Sequence, residues 1–315
     1  MSATLRCDPR LFERDLSGRT YVVTGANSGI GLTTTEQLVK QGARVVMGCR
    51  RVEAGEREAQ AFASLPGSVL VRALDLSSLD SVRAFAKGFN AEHDRLHGLV
   101  NNAGIMGGPK EQTRDGFEAQ IGTNHFGHFL LTELLLDALK AGAPSRVVSV
   151  SSCFHVDARG RKGELELDDL NFERRDYDPW TAYAQSKLAN VVHMAELARR
   201  VGDAGVTAYS VHPGWVRSNL ASRSMPLWIQ NIAMRPLAPL IGLIGPEDGA
   251  QTTLHCLLAD DVEAHSGEYF SQKGIYPDRS DRKGGWPLRS PNPQAHDLQL
   301  GARFYEMSRQ AVGLA

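Results

Sequence analysis

The feature that most constrains this chain is an alternation kept up over its first 270 residues. Short β-branched, largely apolar runs are separated by longer windows with helical periodicity. The runs are Thr20 to Thr24, Arg44 to Gly48, Val69 to Leu74, Gly98 to Asn101, Arg146 to Val150, Val206 to Val211 and Gly267 to Phe270. The helical windows fall at Ile30 to Gln41, Glu53 to Ser64, Asp80 to His93, Phe117 to Lys140, Trp180 to Val201 and Pro246 to Ala259. Strands that do not alternate polar with apolar are buried on both faces, and strands joined through helices run parallel. The pattern predicts an α/β chain with one parallel sheet between two helical layers.

Charge removes several function classes. With 35 Lys+Arg against 36 Asp+Glu the net charge is -1, so nothing draws the chain toward nucleic acid. Cys7, Cys49, Cys153 and Cys256 form no C-x-x-C pair, which speaks against a disulfide framework or a cysteine zinc site and for a reducing compartment. The stretch from Met1 to Ser17 carries charges of both signs and no long apolar run, so a cytoplasmic protein is expected.

The first strand runs straight into Thr24-Gly25-Ala26-Asn27-Ser28-Gly29-Ile30-Gly31 and then a helix. Glycines let such a turn close tightly against a pyrophosphate, whose charge is met by amides at the positive end of the helix. Strand, glycine turn and helix in that order point to a dinucleotide site on a Rossmann-type doubly wound sheet. The second strand leads into Cys49-Arg50-Arg51, with no carboxylate where an NAD-selective site would place one. Two guanidiniums suit a 2′-phosphate, so NADP(H) is the expected cofactor.

Tyr183 and Lys187 stand four apart at the start of a helical window, on one face. A phenol titrating near 10 beside an ammonium makes an acid/base pair for work near neutral pH. Ser152 follows the strand Arg146 to Val150, and Asn102-Ala103-Gly104 follows the strand Gly98 to Asn101. Ligands of open α/β sheets bind at the carboxyl ends of strands, so these groups and the glycine turn converge on one edge.

With these motifs the sequence resembles the short-chain dehydrogenase/reductase family from about Asp15 to Phe270. The matching motifs are the glycine turn, Asn101-Asn102-Ala103-Gly104, Ser152 with Tyr183-x-x-x-Lys187, and Pro213-Gly214-Trp215-Val216-Arg217-Ser218. Gly122-Thr123-Asn124-His125-Phe126-Gly127-His128-Phe129, Ser186-Lys187-Leu188-Ala189-Asn190 and Val211-His212-Pro213-Gly214 are most similar to the retinol-dehydrogenase-like branch, and protochlorophyllide reductases share part of this pattern. The resemblance implies that Tyr183 exchanges a proton with the substrate oxygen and Ser152 binds that oxygen. It implies that Lys187 lowers the Tyr183 pKa and holds the nicotinamide ribose, while Asn124 holds a water linking Lys187 to solvent. Asp75, with Leu76 beside it, is implied at the adenine, and Asn101, Ala103 and Gly104 along the cofactor cleft. Pro213, Gly214, Val216 and Ser218 would cover the nicotinamide. The family also implies a homo-oligomer.

Three stretches remain. The charged excursion from Cys153 to Asp178 lengthens the interval between Ser152 and Tyr183 and is expected to overhang the strand ends, either shaping the substrate mouth or as a solvated loop. Residues 225–245, apolar but broken by Pro226, Pro236 and Pro239, are expected to form a substrate lid for a lipophilic compound. Core, an oligomer contact or shallow membrane contact are its other readings, and the prolines with Arg235 argue against a span. The expected domains are an N-terminal extension (1–17), the catalytic domain (18–273) and a C-terminal extension (274–315) whose helix spans His296 to about Val312. His125, His128 and Cys153 are read as packing residues, and no metal is expected. The function that emerges is NADP(H)-linked interconversion of a carbonyl and an alcohol. Light-dependent reduction of a pigment double bond and non-catalytic NADP(H) sensing stand as alternatives.

Overall fold

The computed structural model describes residues 4–217 and 243–314. Seven strands form one all-parallel sheet in the order β3-β2-β1-β4-β5-β6-β7. They are β1 (Thr20–Thr24), β2 (Arg44–Cys49), β3 (Ser68–Ala73), β4 (Gly98–Asn101), β5 (Ser145–Val150), β6 (Val206–His212) and β7 (Tyr269–Ser271). Side chains alternate along each strand and divide the core in two. Val22, Val46, Leu99 and Val147 face one layer, and Tyr21, Val23, Val45, Met47, Val100 and Val148 face the other. The order reverses between β1 and β4, and there the carboxyl ends splay into a cleft.

The helices in chain order are α1 (Gly29–Lys40), α2 (Val52–Gln60), α3 (Leu79–Glu92), α4 (Ala119–Ile121), α5 (Gly127–Leu134), α6 (Leu136–Ala141), α7 (Pro179–Val201), α8 (Pro246–Leu258) and α9 (Leu298–Ala311). The window from Phe117 to Lys140 is not the single helix expected. Between α4 and α5 the chain makes a π turn, Gly122–Phe126, and Asn124 stands in it. Glycines permit close approach on both sides of that turn: a Cβ at Gly122 would come within 2.4 Å of Thr113 Cγ2, and one at Gly127 within 2.4 Å of the Leu76 carbonyl oxygen. π turns of this kind occur mostly at functional sites. The last strand starts at Tyr269 rather than Gly267, because Gly267 has φ +90°, outside the extended region.

The two terminal segments belong to the same core. Cys7, Leu11 and Leu16 are buried in the layer of α1 and α8, with the Cys7 amide donating to Gln251 Oε1 at 3.0 Å. α9 covers α5 and α7: Phe304 stacks on His125 at 4.6 Å, the Tyr305 hydroxyl donates to Glu133, and Arg309 pairs with Glu133 at 3.0 Å. Downstream of β7 the chain doubles back along the sheet edge. Ser271 and Gly285 exchange backbone hydrogen bonds of 2.9 Å, and the Leu288 amide donates to the Tyr269 carbonyl at 2.8 Å.

Candidate active site

A cleft of about 850 Å³ lies over the carboxyl ends of the strands. Its nucleotide end is built from strand ends. Gly25 (φ +63°) and Gly29 (φ +56°) take the left-handed conformations that the turn requires. Gly31 is buried beneath, because a Cβ there would lie 2.5 Å from Asn102 Nδ2, which donates to the Thr24 carbonyl at 2.7 Å. Asn27, Ser28 and Ile30 line the wall with these glycines. Ser28 holds the N-cap of α1 without a side-chain bond to it, so the positive end of the helix has no capping oxygen. Arg50 and Arg51 are exposed on the same wall and are ion-paired with no carboxylate among the described residues. Asp75 is turned to its own loop: Oδ1 accepts from the Ser77 amide at 3.0 Å and hydroxyl at 2.6 Å, and Leu76 continues the wall. An uncapped helix end and two unpaired guanidiniums on one wall form a donor set that fits a phosphorylated nucleotide.

The chemical end gathers Ser152, Tyr183 and Lys187, all buried and all lining the cleft. Asp178 sets the start of α7 by accepting from the Trp180 and Thr181 amides at 3.1 and 2.8 Å, a cap worth about 1 kcal/mol. Ser152 follows β5, its Oγ accepts from the Phe154 amide at 3.2 Å, and its hydroxyl acts on the nearby Tyr183 phenol to lower it. Sequence reasoning expects Lys187 to pull that phenol down. Instead burial dominates and pushes Tyr183 well above its ordinary value, with Ser152 opposing. The Lys187 ammonium, 5.7 Å from the Tyr183 ring centroid, donates to the Val150 carbonyl at 2.9 Å, and burial pulls it down to about 7.

Asn124 is fully buried. Its Oδ1 accepts from the Ile105 amide at 2.8 Å, and its Nδ2 donates to the Ile105 carbonyl at 3.0 Å and to Ser186 Oγ at 2.9 Å. One lone pair on Oδ1 stays available. That atom faces Gly104, where a Cβ would lie 3.1 Å from it and 3.6 Å from Lys187 Nζ. Gly104 thus keeps open the space between the amide and the ammonium.

Ala103, Gly104, Pro213, Gly214 and Val216 line the cleft, whereas Asn101 does not. Its side chain points into the core and donates to Thr132 Oγ1 at 2.9 Å, so the expectation that it lines the cofactor cleft is corrected in favour of Asn102. Strand parity carries the signal, since Asn101 shares the face of Leu99, which is buried in the layer opposite Val100. Ser218 and most of the expected lid, 225–245, lie outside the described residues. Met106, Phe154, Trp215 and Ile275 also line the cleft, and the Phe154 ring stands 6.2 Å from that of Tyr183, edge to face.

The excursion from Cys153 to Asp178 is a fastened structure rather than a solvated loop. It buries His155, Leu165, Leu170 and Phe172. The His155 ring bridges the Ser152 carbonyl at 2.6 Å and Ser290 Oγ at 2.7 Å. Asn292 Nδ2 donates to the carbonyls of His155 and Gly163, both at 2.8 Å, and the Leu165 amide donates to Gln294 Oε1 at 2.8 Å. The two irregular stretches of the sequence therefore clasp each other at the mouth. Cys153 is buried beneath, its thiol pushed up to about 11 by desolvation, which keeps it inert.

Known proteins resemble the chain in sequence and in fold. The family described as "short chain dehydrogenase" matches residues 19–160. The chain is 44% identical to human retinol dehydrogenase 11 over 305 residues, covering 95% of this chain and 87% of that one. A crystal structure of an uncharacterised protein from Mycobacterium paratuberculosis aligns with TM-score 0.73 and 37% identity, covering 95% of each chain. The Pseudomonas aeruginosa RhlG/NADP active-site complex aligns with TM-score 0.64 at 25% identity, covering 84% of this chain and 97% of that one. The 44% identity over nearly the whole length carries more than a shared fold. The chain belongs to the short-chain dehydrogenase/reductase family of oxidoreductases, in its retinol-dehydrogenase-like branch.

Proposed function

We propose that this chain is an NADP(H)-dependent oxidoreductase that interconverts the carbonyl and alcohol of a lipophilic small molecule, an aldehyde, ketone or retinoid-like compound. The observation that carries the reading is the gathering of the buried Ser152, Tyr183 and Lys187 in one cleft that also presents the exposed Arg50 and Arg51. The name of the human relative, a retinol dehydrogenase, and the NADP held by the Pseudomonas protein support the substrate class and the cofactor.

The glycine turn, Arg50 and Arg51 would hold NADP(H), which when bound would supply or accept the hydride. Burial holds the Tyr183 phenol protonated at neutral pH, so it enters the reduction as a proton donor to the substrate oxygen. Ser152 donates to the same oxygen, where negative charge grows as the carbonyl is reduced. Lys187 places a cation beside the tyrosinate that proton transfer leaves behind, in a site dry enough for that attraction to count. Met106, Phe154, Trp215 and Ile275 offer an apolar substrate its walls.

The test is a screen of purified protein with NADPH and with NADH against aliphatic, aromatic and retinoid carbonyls. At least one lipophilic carbonyl should oxidise NADPH, and Arg50→Ala should raise the KM for NADPH about tenfold while sparing NADH. Equal losses for both cofactors would remove the 2′-phosphate assignment, and no cofactor oxidation with any carbonyl would sink the activity.

A further inference from the structure

His128, on α5, takes no part in the chemistry described above, yet it is buried between the two halves of the cleft. At the end of β1, Thr24 Oγ1 accepts from the Asn102 amide at 2.9 Å and the Ala103 amide at 3.0 Å. A hydroxyl oxygen has two lone pairs, and these amides fill both. The Thr24 proton must therefore leave the oxygen outward. His128 Nε2 lies 2.9 Å away, closer than the Val100 carbonyl at 3.3 Å.

The other face of the ring settles the tautomer. His128 Nδ1 lies 3.1 Å from the backbone carbonyl of Asn124, which can only accept, so Nδ1 carries the ring proton. Nε2 is then bare and receives the Thr24 hydroxyl. The donors run in one direction without conflict: Asn102 and Ala103 amides to Thr24, Thr24 to His128, His128 to Asn124. Burial also holds the ring down to about 4, so it stays neutral near pH 7.

We infer that His128 is a positioning residue that sets the π turn carrying Asn124 against the Asn102 to Gly104 floor of the cleft, and so fixes the proton-transfer groups relative to the bound nucleotide. This rests on the proposed function for what the two ends do, but not for the bonding itself.

Two substitutions cut the link at opposite ends. His128→Asn keeps a donor near the Nδ1 position and loses the acceptor for Thr24, while His128→Gln keeps a group near Nε2 and loses the donor to Asn124. Thr24→Val deletes the hydroxyl with the shape retained. His128→Asn and Thr24→Val should weaken NADPH binding, read by fluorescence titration, about tenfold; His128→Gln should lower kcat about tenfold with NADPH affinity nearly unchanged. If both histidine variants lose affinity and kcat together in step with thermal stability, the ring is only filler and the inference is overturned.

A second readout needs no activity. In histidine-labelled protein, the nitrogen resonances lost on His128→Asn should report a protonated Nδ1 and a bare Nε2. The opposite tautomer overturns the network. A wild type that binds no NADPH and reduces no carbonyl would instead remove the proposed function, leaving the tautomer to be judged by itself.

Discussion

The two ends of the cleft are built on different principles. At the nucleotide end each wall is a strand end and the residues just after it, so Gly25, Arg50 and Asn102 inherit their places from hydrogen bonds within the sheet. At the mouth, the Cys153 to Asp178 excursion is held by Ser290, Asn292 and Gln294 through bonds that join residues 129 to 137 positions apart. The first end is fixed by the fold, and the second by a few polar contacts laid over it. Such a division lets the mouth change shape, and with it the substrate, while the nucleotide walls stay put.

Tyr183→Phe tests where the two ends meet. Carbonyl reduction should fall about a thousandfold while NADPH affinity, read by fluorescence, is kept; unchanged turnover would mean that the proton comes from elsewhere. Asn292→Ala addresses the clasp alone. Two buried carbonyls lose their donor, which should cost about 2 kcal/mol in denaturant unfolding and raise the KM for the carbonyl, with NADPH affinity unaltered. A parallel loss of NADPH affinity would break the proposed independence of the two ends.

Acid is the perturbation that should ignore the division. Burial holds His128 at the floor and His155 at the mouth to about 4, and His193 and His212 to about 3. The unfolded chain titrates its histidines near 6.5, so between 6.5 and these values it binds more protons than the folded one. Stability is then complete above about 6.5 and falls as the pH drops toward 4, by about 1.4 kcal/mol per pH unit for each such histidine. Denaturant midpoints at pH 7.5 and pH 5 measure this, and His155→Gln should flatten the dependence by one histidine's share. Equal midpoints would show that the rings are not held neutral.

What was legible in the sequence follows the same line. All seven strands could be found because all but the half-exposed edge strand β3 are runs buried within the sheet, and the glycine turn is a contiguous motif with one mechanical purpose. The π turn was not legible, since Gly122 and Gly127 enter a helix-like window without breaking its periodicity, and only the approach of Thr113 and Leu76 explains them. Asn101 and Asn102 needed strand parity to tell them apart. The clasp was hidden for a deeper reason: Ser290, Asn292 and Gln294 have the composition of any loop, and their partners lie far back along the chain. Nor does Tyr-x-x-x-Lys spacing reveal that the lysine reaches for Val150.

The return of the chain along β7 bears on how the protein is made. Gly285 and Leu288 seal the outer edge of the sheet, and α9 covers the faces of α5 and α7. A chain emerging from the ribosome with its N-terminus first must therefore carry an open strand edge and a bare apolar flank until residues 285–311 have emerged. Once sealed, the β7 edge offers fewer free backbone groups to a strand from another copy than β3 does at the opposite edge.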